Sequence, residues 1–395
     1  MKTSIILFCL SLCFHALYAA SNKVIVGYFP NSLNGTVSVS KVDVSKYTHI
    51  NYAFALMVEG HIPTWEKGSS VQKELPKLVS AAHKQGTKVL TSIGGWIGSI
   101  TFSSMAGNTT SRKEFIDWCI DHMKKYNTDG IDIDWEYPGR QGAGCNEVDE
   151  DKDIDNFLVL LQELRKTMDK ELNAKELTIA AHVNPLKTNM SNFAKVLDRI
   201  NIMTYDLNGA WNEQTAPNSP LYAADGALSF SSSVESWINA GVSASKLTGG
   251  VAYYGRSTTA KQNMLKTKSI NQDQVKGTAP RGDSLDKKES DPYCAADNGV
   301  YSGTWRFNHL ISQGILSTPL KAKKPWVRTW DNSTATPWLF NPKNNIFISY
   351  DDPQSIQKKA CYALNKGLAG LMVWAIDQDT SNNDLVNAAH NTGKC

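Results

Sequence analysis

Three features are scarce in this chain. Only 7 cysteines occur in 395 residues, two of them, Cys9 and Cys13, in the apolar N-terminus, which excludes a small scaffold stapled by disulfides. An excess of one charge is also missing. With 41 Lys and Arg against 38 Asp and Glu, the net charge is +3, a balance that favours neither nucleic acid nor an anionic membrane as partner. Long apolar runs are absent apart from IILFCLSLCF, which follows Lys2 and precedes the small residues of YAAS. That run is too short for a membrane span and no stop-transfer segment follows it. Residues 1–20 therefore read as a secretory signal peptide cleaved near Ala19 or Ala20, and the expected location is extracellular. No repeat, low-complexity tract or Ser/Thr/Pro-rich hinge divides the rest, and a monomer is expected.

The composition is that of an ordinary globular protein, 41% hydrophobic and 20% charged, and it can bury a substantial core. Five cysteines follow the signal peptide: Cys119, Cys145, Cys294, Cys361 and Cys395. Their odd number leaves at least one free or bonded to another chain. Sequons at Asn34, Asn108, Asn189 and Asn332 are candidate glycan sites in a eukaryotic host.

Short β-rich runs alternate with segments of helical period. The runs are VIVGYF (24–29), THINYAFAL (48–56), KVLTSIGGW (88–96), GIDIDWEY (130–137), LTIAAHV (177–183), INIMTYD (200–206), LTGGVAYYG (247–255) and GLAGLMVWA (367–375). Alternation of this kind implies a parallel sheet, and eight units imply a closed (β/α)8 TIM barrel rather than an open doubly wound sheet. Between the first and last of these come helical segments such as SRKEFIDWCIDHMKKYN, with Ser111 placed as N-cap, Glu114 three residues on, and Lys124 and Lys125 in the last turn. The long gap between the seventh and eighth runs has its own aromatic content, GVYSGTWRF and KPWVRTWDNSTATPWLF. It reads as a small α+β insertion domain, residues 257–346, with the barrel formed by 21–256 and 347–395.

The fourth run raises a chemical question. In a strand Asp132, Asp134 and Glu136 share one face, while Ile131, Ile133 and Trp135 take the other. In a barrel the apolar set packs under the helices and the acids line the interior, with Glu136 nearest the C-terminal mouth, where active sites sit. Carboxylates two residues apart on a strand are about 7 Å apart, which at an effective dielectric of about 20 costs about 2 kcal/mol per charged pair. One or more should keep a proton near neutral pH, as a general acid must. Two other readings compete. A solvated acidic strand does not suit a central barrel position, and a calcium or magnesium site does not suit this order of residues, since the EF-hand glycine follows its acids.

Asp129, Asp132, Asp134 and Glu136 fit the DxxDxDxE signature, and in it the chain resembles glycoside hydrolase family 18, the chitinases and their relatives. SIGGW (92–96), MTYDLNGAW (203–211), YYGR (253–256) and MVWAIDQD (372–379) are similar to the family's third-, sixth-, seventh- and eighth-strand motifs. The resemblance implies that Glu136 protonates the glycosidic oxygen. It also implies that Asp134 holds the substrate's N-acetyl group and shares a proton with Asp132, that Tyr205 bonds the same acetamido carbonyl, and that Trp374 is the floor under a distorted sugar. Asp206 and Arg256 would bind sugar near the cleavage point, with Tyr28 and Phe54 walling the subsite. Trp96, Trp211 and Tyr254, near predicted strand ends, suit the apolar faces of pyranoses. Tyr137 and Met203, within or beside matched motifs, complete the expected substrate-binding set. Trp135 is expected in the core.

The implied reaction is hydrolysis of β-1,4-linked N-acetylglucosamine polymers and oligomers with retention, the substrate's acetamido group being the nucleophile. The partner is then chitin or a chitooligosaccharide, and neither cofactor nor metal is expected. Two alternatives use the same cleft, a chitooligosaccharide-binding lectin and an endo-β-N-acetylglucosaminidase. Two departures from the family pattern stand out. Ser32 replaces a common Trp, and AHVNP brings in His182 and Asn184, of which His182 is expected to be a satisfied core residue.

Overall fold

A computed structural model describes residues 23–31, 38–66, 70–224, 226–288, 290–391 and 395. The expected signal peptide, the Asn34 sequon and Ser32 lie outside the described residues. The eight predicted runs form eight parallel strands in a closed barrel. In chain order they are Val24–Pro30, His49–Ala55, Lys88–Gly94, Gly130–Asp134, Glu176–Ala181, Arg199–Ile202, Leu247–Ala252 and Gly370–Trp374. The first strand closes the ring by pairing with the eighth, Val24 opposite Gly370. Outward residues of the strands and inward residues of the helices make one continuous core; Ile131, Ile133, Leu160, Leu164, Phe115 and Phe193 are all buried in it. Trp135 belongs there as expected, stacked on Phe102 at 5.3 Å.

Two local expectations need correction. The third-strand helix is Thr109–Tyr126, and its N-cap is Asn108, whose Oδ1 accepts from the backbone N–H of Thr110 and Ser111. Ser111 is inside the first turn and buried. The predicted runs also overshoot at the mouth. The fourth ladder ends at Asp134, whose carbonyl turns to accept from Gly95 N at 2.8 Å and Ser99 Oγ at 3.2 Å, so Glu136 stands beyond the strand. The sixth ladder ends at Ile202, so Tyr205 and Asp206 lie on a loop, with Asp206 in the left-handed region at φ 55.

Between the seventh and eighth strands stands a five-stranded antiparallel sheet, ordered Val327–Asp331, Thr336–Asn341, Ile346–Ser349, Tyr254–Thr259 and Thr304–Arg306. It begins at Tyr254, earlier than the expected 257, because the chain turns directly from the barrel strand into the sheet. Short helices Met264–Thr267 and Phe307–Ser312 accompany it. Its own small core contains Met264, Ile270, Trp338, Phe340 and Phe347.

Two disulfides join Cys145 to Cys294 and Cys361 to Cys395, and Cys119 is free and buried. The odd count expected from the sequence is thus resolved within one chain.

Candidate active site

The C-terminal ends of the strands open into a cavity of about 1250 Å³. Every sequence-predicted site residue except Asp132 lines it: Asp134, Glu136, Tyr205, Tyr28, Phe54, Trp96, Tyr137, Met203, Asp206, Trp211, Tyr254, Arg256 and Trp374. Asp132 lies one layer deeper, fully buried. Strand alternation explains this, since each step of two residues along the fourth strand moves an acid toward the mouth.

Asp132 is held by four donors from four other strands. Its Oδ2 accepts from Tyr28 Oη at 2.7 Å and Ser92 Oγ at 2.8 Å. Its Oδ1 accepts from Thr178 Oγ1 at 2.5 Å and Asn201 Nδ2 at 3.2 Å. Asp134 shares no such network: its Oδ1 is buried without a hydrogen-bond partner. Among the described residues no hydrogen bond joins Asp132 to Asp134, because Asp132 spends its oxygens on other donors. Ser92, Thr178 and Asn201 escaped sequence reasoning, although each occupies an inward position on its predicted strand.

Burial and charge set the protonation of the acids. Asp134 has its carboxyl pushed well above the ordinary range, first by burial and then by the charges of Glu136 and Asp132. Burial likewise pushes Glu136 up to about 7, the Tyr137 hydrogen bond and Arg140 opposing, Asp206 adding. Repulsion along the row, the cause inferred from sequence, is thus secondary to desolvation. A carboxyl that half-ionises near neutrality can give a proton and take one back.

The aromatic floor is compact. Trp374 stacks on Phe54 at 5.5 Å and 17°, and Tyr28 leans on both at 5.7 and 6.2 Å. Among the described residues Tyr205 Oη has only the Met372 sulfur at 3.6 Å, a weak partner that a carbonyl could displace. Trp96 and Trp211 are 53% and 46% exposed, and the Arg256 guanidinium lies 5.8 Å from the Trp211 ring centre. Arg256 donates to both oxygens of Asp206, at 2.8 and 2.7 Å, with its guanidinium 5.3 Å from the Tyr254 ring centre.

His182 is not a core residue. The fifth strand ends at Ala181, which puts the imidazole on the cavity wall, edge-on to Tyr137 at 5.2 Å and 3.1 Å from Arg140 Nη1 through Nε2. Burial, with Arg140, lowers it to about 4, so it meets Arg140 as a neutral acceptor. Asn184 is exposed and absent from the lining. Asp129, the first acid of the signature, sits at the far end of the barrel, where its Oδ2 takes a bond from Val89 N at 2.8 Å and pairs with His83 Nε2 at 2.7 Å. It serves the fold. Among the described residues no cluster of His, Cys, Asp or Glu suits a metal ion.

Comparison with known proteins agrees with this geometry. A family model described as glycosyl hydrolases family 18 matches residues 24–379. A chitinase-like effector of Moniliophthora roreri is 36% identical over 376 residues, covering 90% of this chain and 89% of its own. Chitinase A1 of Niallia circulans is 30% identical over 428 residues, covering 91% of this chain and 57% of that one. Among solved structures, a chitinase from Rhizomucor miehei matches with a TM-score of 0.85 at 29% identity, covering 94% of this chain and 100% of that one. The Ostrinia furnacalis group IV chitinase in complex with allosamidin matches with a TM-score of 0.76 at 26% identity, covering 93% and 98%.

Proposed function

The chain belongs to glycosyl hydrolases family 18, and from that premise we propose that it is a secreted chitinase cutting β-1,4 bonds between N-acetylglucosamine units with retention. The observation that carries this reading is Glu136, buried at the mouth with its carboxyl pushed up to about 7, next to an Asp134 whose carboxyl burial pushes well above the ordinary range.

The steps follow from those two states. Glu136 gives its proton to the glycosidic oxygen as the bond to the anomeric carbon breaks. The acetamido oxygen of the same sugar forms a bond to that carbon, giving an oxazolinium ion. Asp134 steadies the acetamido N–H and its positive charge, and Tyr205 exchanges its sulfur contact for the acetamido oxygen. Water then attacks the anomeric carbon, losing a proton to the Glu136 carboxylate, and the ring opens with retained configuration. Trp374 supplies the apolar floor on which the distorted sugar rests. The disulfides support an oxidising, extracellular destination.

Product analysis on chitin oligomers and on an N-glycoprotein tests the activity. N-acetylglucosamine oligomers from the first and nothing from the second is the expected result. A thiazoline mimic of the oxazoline should inhibit, and intact-mass analysis with a fluorinated slow substrate should find no sugar bonded to the protein. A trapped glycosyl ester would overturn the mechanism. The similarity to a chitinase-like effector favours a second reading, a protein that binds chitooligosaccharides without cutting them. Binding with no product from the wild type would select it.

A further inference from the structure

The insertion stands on one side of the mouth. Gln274 Nε2 donates to the carbonyls of Gly209 and Asn212, both at 2.8 Å, in the loop after the sixth strand. Asn308 Nδ2 donates to Asp377 O at 2.9 Å, after the eighth. Yet Cys294 of the same insertion is bonded to Cys145, Cα to Cα 5.5 Å, in the loop after the fourth strand, on the opposite part of the ring. Next to it, burial and the charges of Glu66, Asp291 and Glu59 raise the Tyr293 hydroxyl.

Both ends of the crossing are fixed. At the base, Asp286 accepts from Gly282 N at 2.6 Å, Ser302 N at 3.0 Å and Gly303 N at 3.0 Å, pinning the two legs together. At the tip, Asn146, adjacent to Cys145, donates through Nδ2 to the carbonyl of Glu136 at 2.8 Å. The anchor is thus part of the loop that carries the proposed acid. Leu285 and Lys287 line the cavity on the outgoing leg, Val300 and Tyr301 on the returning one.

We infer that the Cys145–Cys294 bond makes residues 290–299 a covalent strap across the cleft, which admits chitooligosaccharides only by a free end. This rests on the reading of the cleft as a chitooligosaccharide site. A strap held by side-chain contacts alone would swing aside on the microsecond to millisecond scale and let a chain settle from above. A disulfide removes that route. The groove becomes a ring, and the cavity that both legs line, about 1250 Å³, exceeds an ordinary small-ligand pocket and leaves space for a segment of polymer.

The decisive ligand is a long chitooligosaccharide carrying streptavidin on biotin at both ends, compared with the same oligomer uncapped. Binding is measured on the mature chain carrying Glu136→Gln, so that neither ligand is cut. With the disulfide intact, the capped oligomer should bind on the order of 100-fold more weakly than the free one. Two variants should restore it to within about threefold of the free oligomer: Cys145→Ser with Cys294→Ser, and replacement of residues 291–297 by two glycines. Equal binding of capped and free ligand to the disulfide-intact protein would overturn the strap, as would continued exclusion of the capped form from both variants. If the free oligomer is not bound either, the reading of the cleft fails, and the strap falls with it.

Discussion

Tyr28 on the first strand donates its hydroxyl to Asp132 Oδ2 on the fourth at 2.7 Å, a bond across the barrel interior. With Ser92, Thr178 and Asn201 it surrounds one buried carboxylate with donors from four strands. The deepest acid is thereby fixed, while Asp134, one step nearer the mouth, has a buried Oδ1 without a partner among the described residues.

Tyr28→Phe removes a donor to that buried carboxylate and little volume. Unfolding free energy should fall by about 1.5–3 kcal/mol, the worth of a hydrogen bond to a charged group, as read from denaturant titration. An unchanged midpoint would mean that Ser92 alone satisfies Oδ2.

The barrel was legible because eight β-rich runs are separated by segments of helical period. Less legible were the strand ends. Runs such as GIDIDWEY and INIMTYD continue their apolar alternation past the ladder, and nothing in residue type marks where Asp134 or Ile202 gives its last sheet bond. The acids and their aromatic neighbours were found because their types and spacing are chemically loud. Ser92, Thr178 and Asn201 are single polar residues whose role exists only when the strands meet. The bond from Cys145 to Cys294 spans 149 residues and depends on where the insertion reaches, which no local pattern encodes. His182 was misplaced for the same reason as Glu136, a strand that stops sooner than its hydrophobicity does, at Ala181 rather than Val183 and at Asp134 rather than Tyr137.

A cluster of one acid and three basic groups lies at the other end of the barrel. Glu176 contacts His49 Nε2 at 3.2 Å, Lys88 at 2.5 Å and Arg199 at 3.2 Å. Burial opposes its ionisation, but these three partners prevail and hold it well below the usual carboxylate range. Burial keeps His49 below its own ordinary value, so Arg199 and Lys88 supply the charge while His49 bonds as a neutral donor. A depressed carboxyl stabilises the fold above its unfolded value, near 4.5, and loses that contribution as pH falls. Glu176→Gln should cost about 3 kcal/mol at neutral pH by leaving Arg199 buried and unpaired. The deficit should shrink below pH ~4. Turnover should hold, since the cluster is at the N-terminal ends of the strands; a matching loss of turnover would contradict that separation.

Trp96 and Trp211 are exposed at 53% and 46%, yet each lines the cleft. Exposed indoles at its margins suit sugars remote from the cut. Trp96→Ala and Trp211→Ala should each weaken long oligomers by about 1 kcal/mol, the scale of an aromatic stacking contact, while leaving short ones nearly unchanged. Calorimetric titration with a dimer and a hexamer separates the cases; equal losses for both would place the ring in the central subsite.

Glu136 offers the sharpest test, because one property should appear in two independent measurements. Its carboxyl is pushed from an ordinary 4.5 up to about 7, chiefly by burial. As a proton donor it is competent below that value, so turnover should fall as pH rises through about 7, and Glu136→Gln should reduce it by on the order of 10²- to 10⁴-fold or more. Stability should move in the opposite sense. A carboxyl whose folded value is raised adds stability below the unfolded value and withdraws it as pH climbs to the folded one. Wild type therefore holds an uncompensated buried charge at pH 8 that the glutamine variant lacks. Glu136→Gln should unfold less readily there, by about 3 kcal/mol at most, and the advantage should vanish near pH 4. Thermal melts across that range decide the matter. If the variant's advantage over the wild type is no larger at pH 8 than at pH 4, the raised carboxyl is not Glu136, and the proton must come from another acid in the cleft.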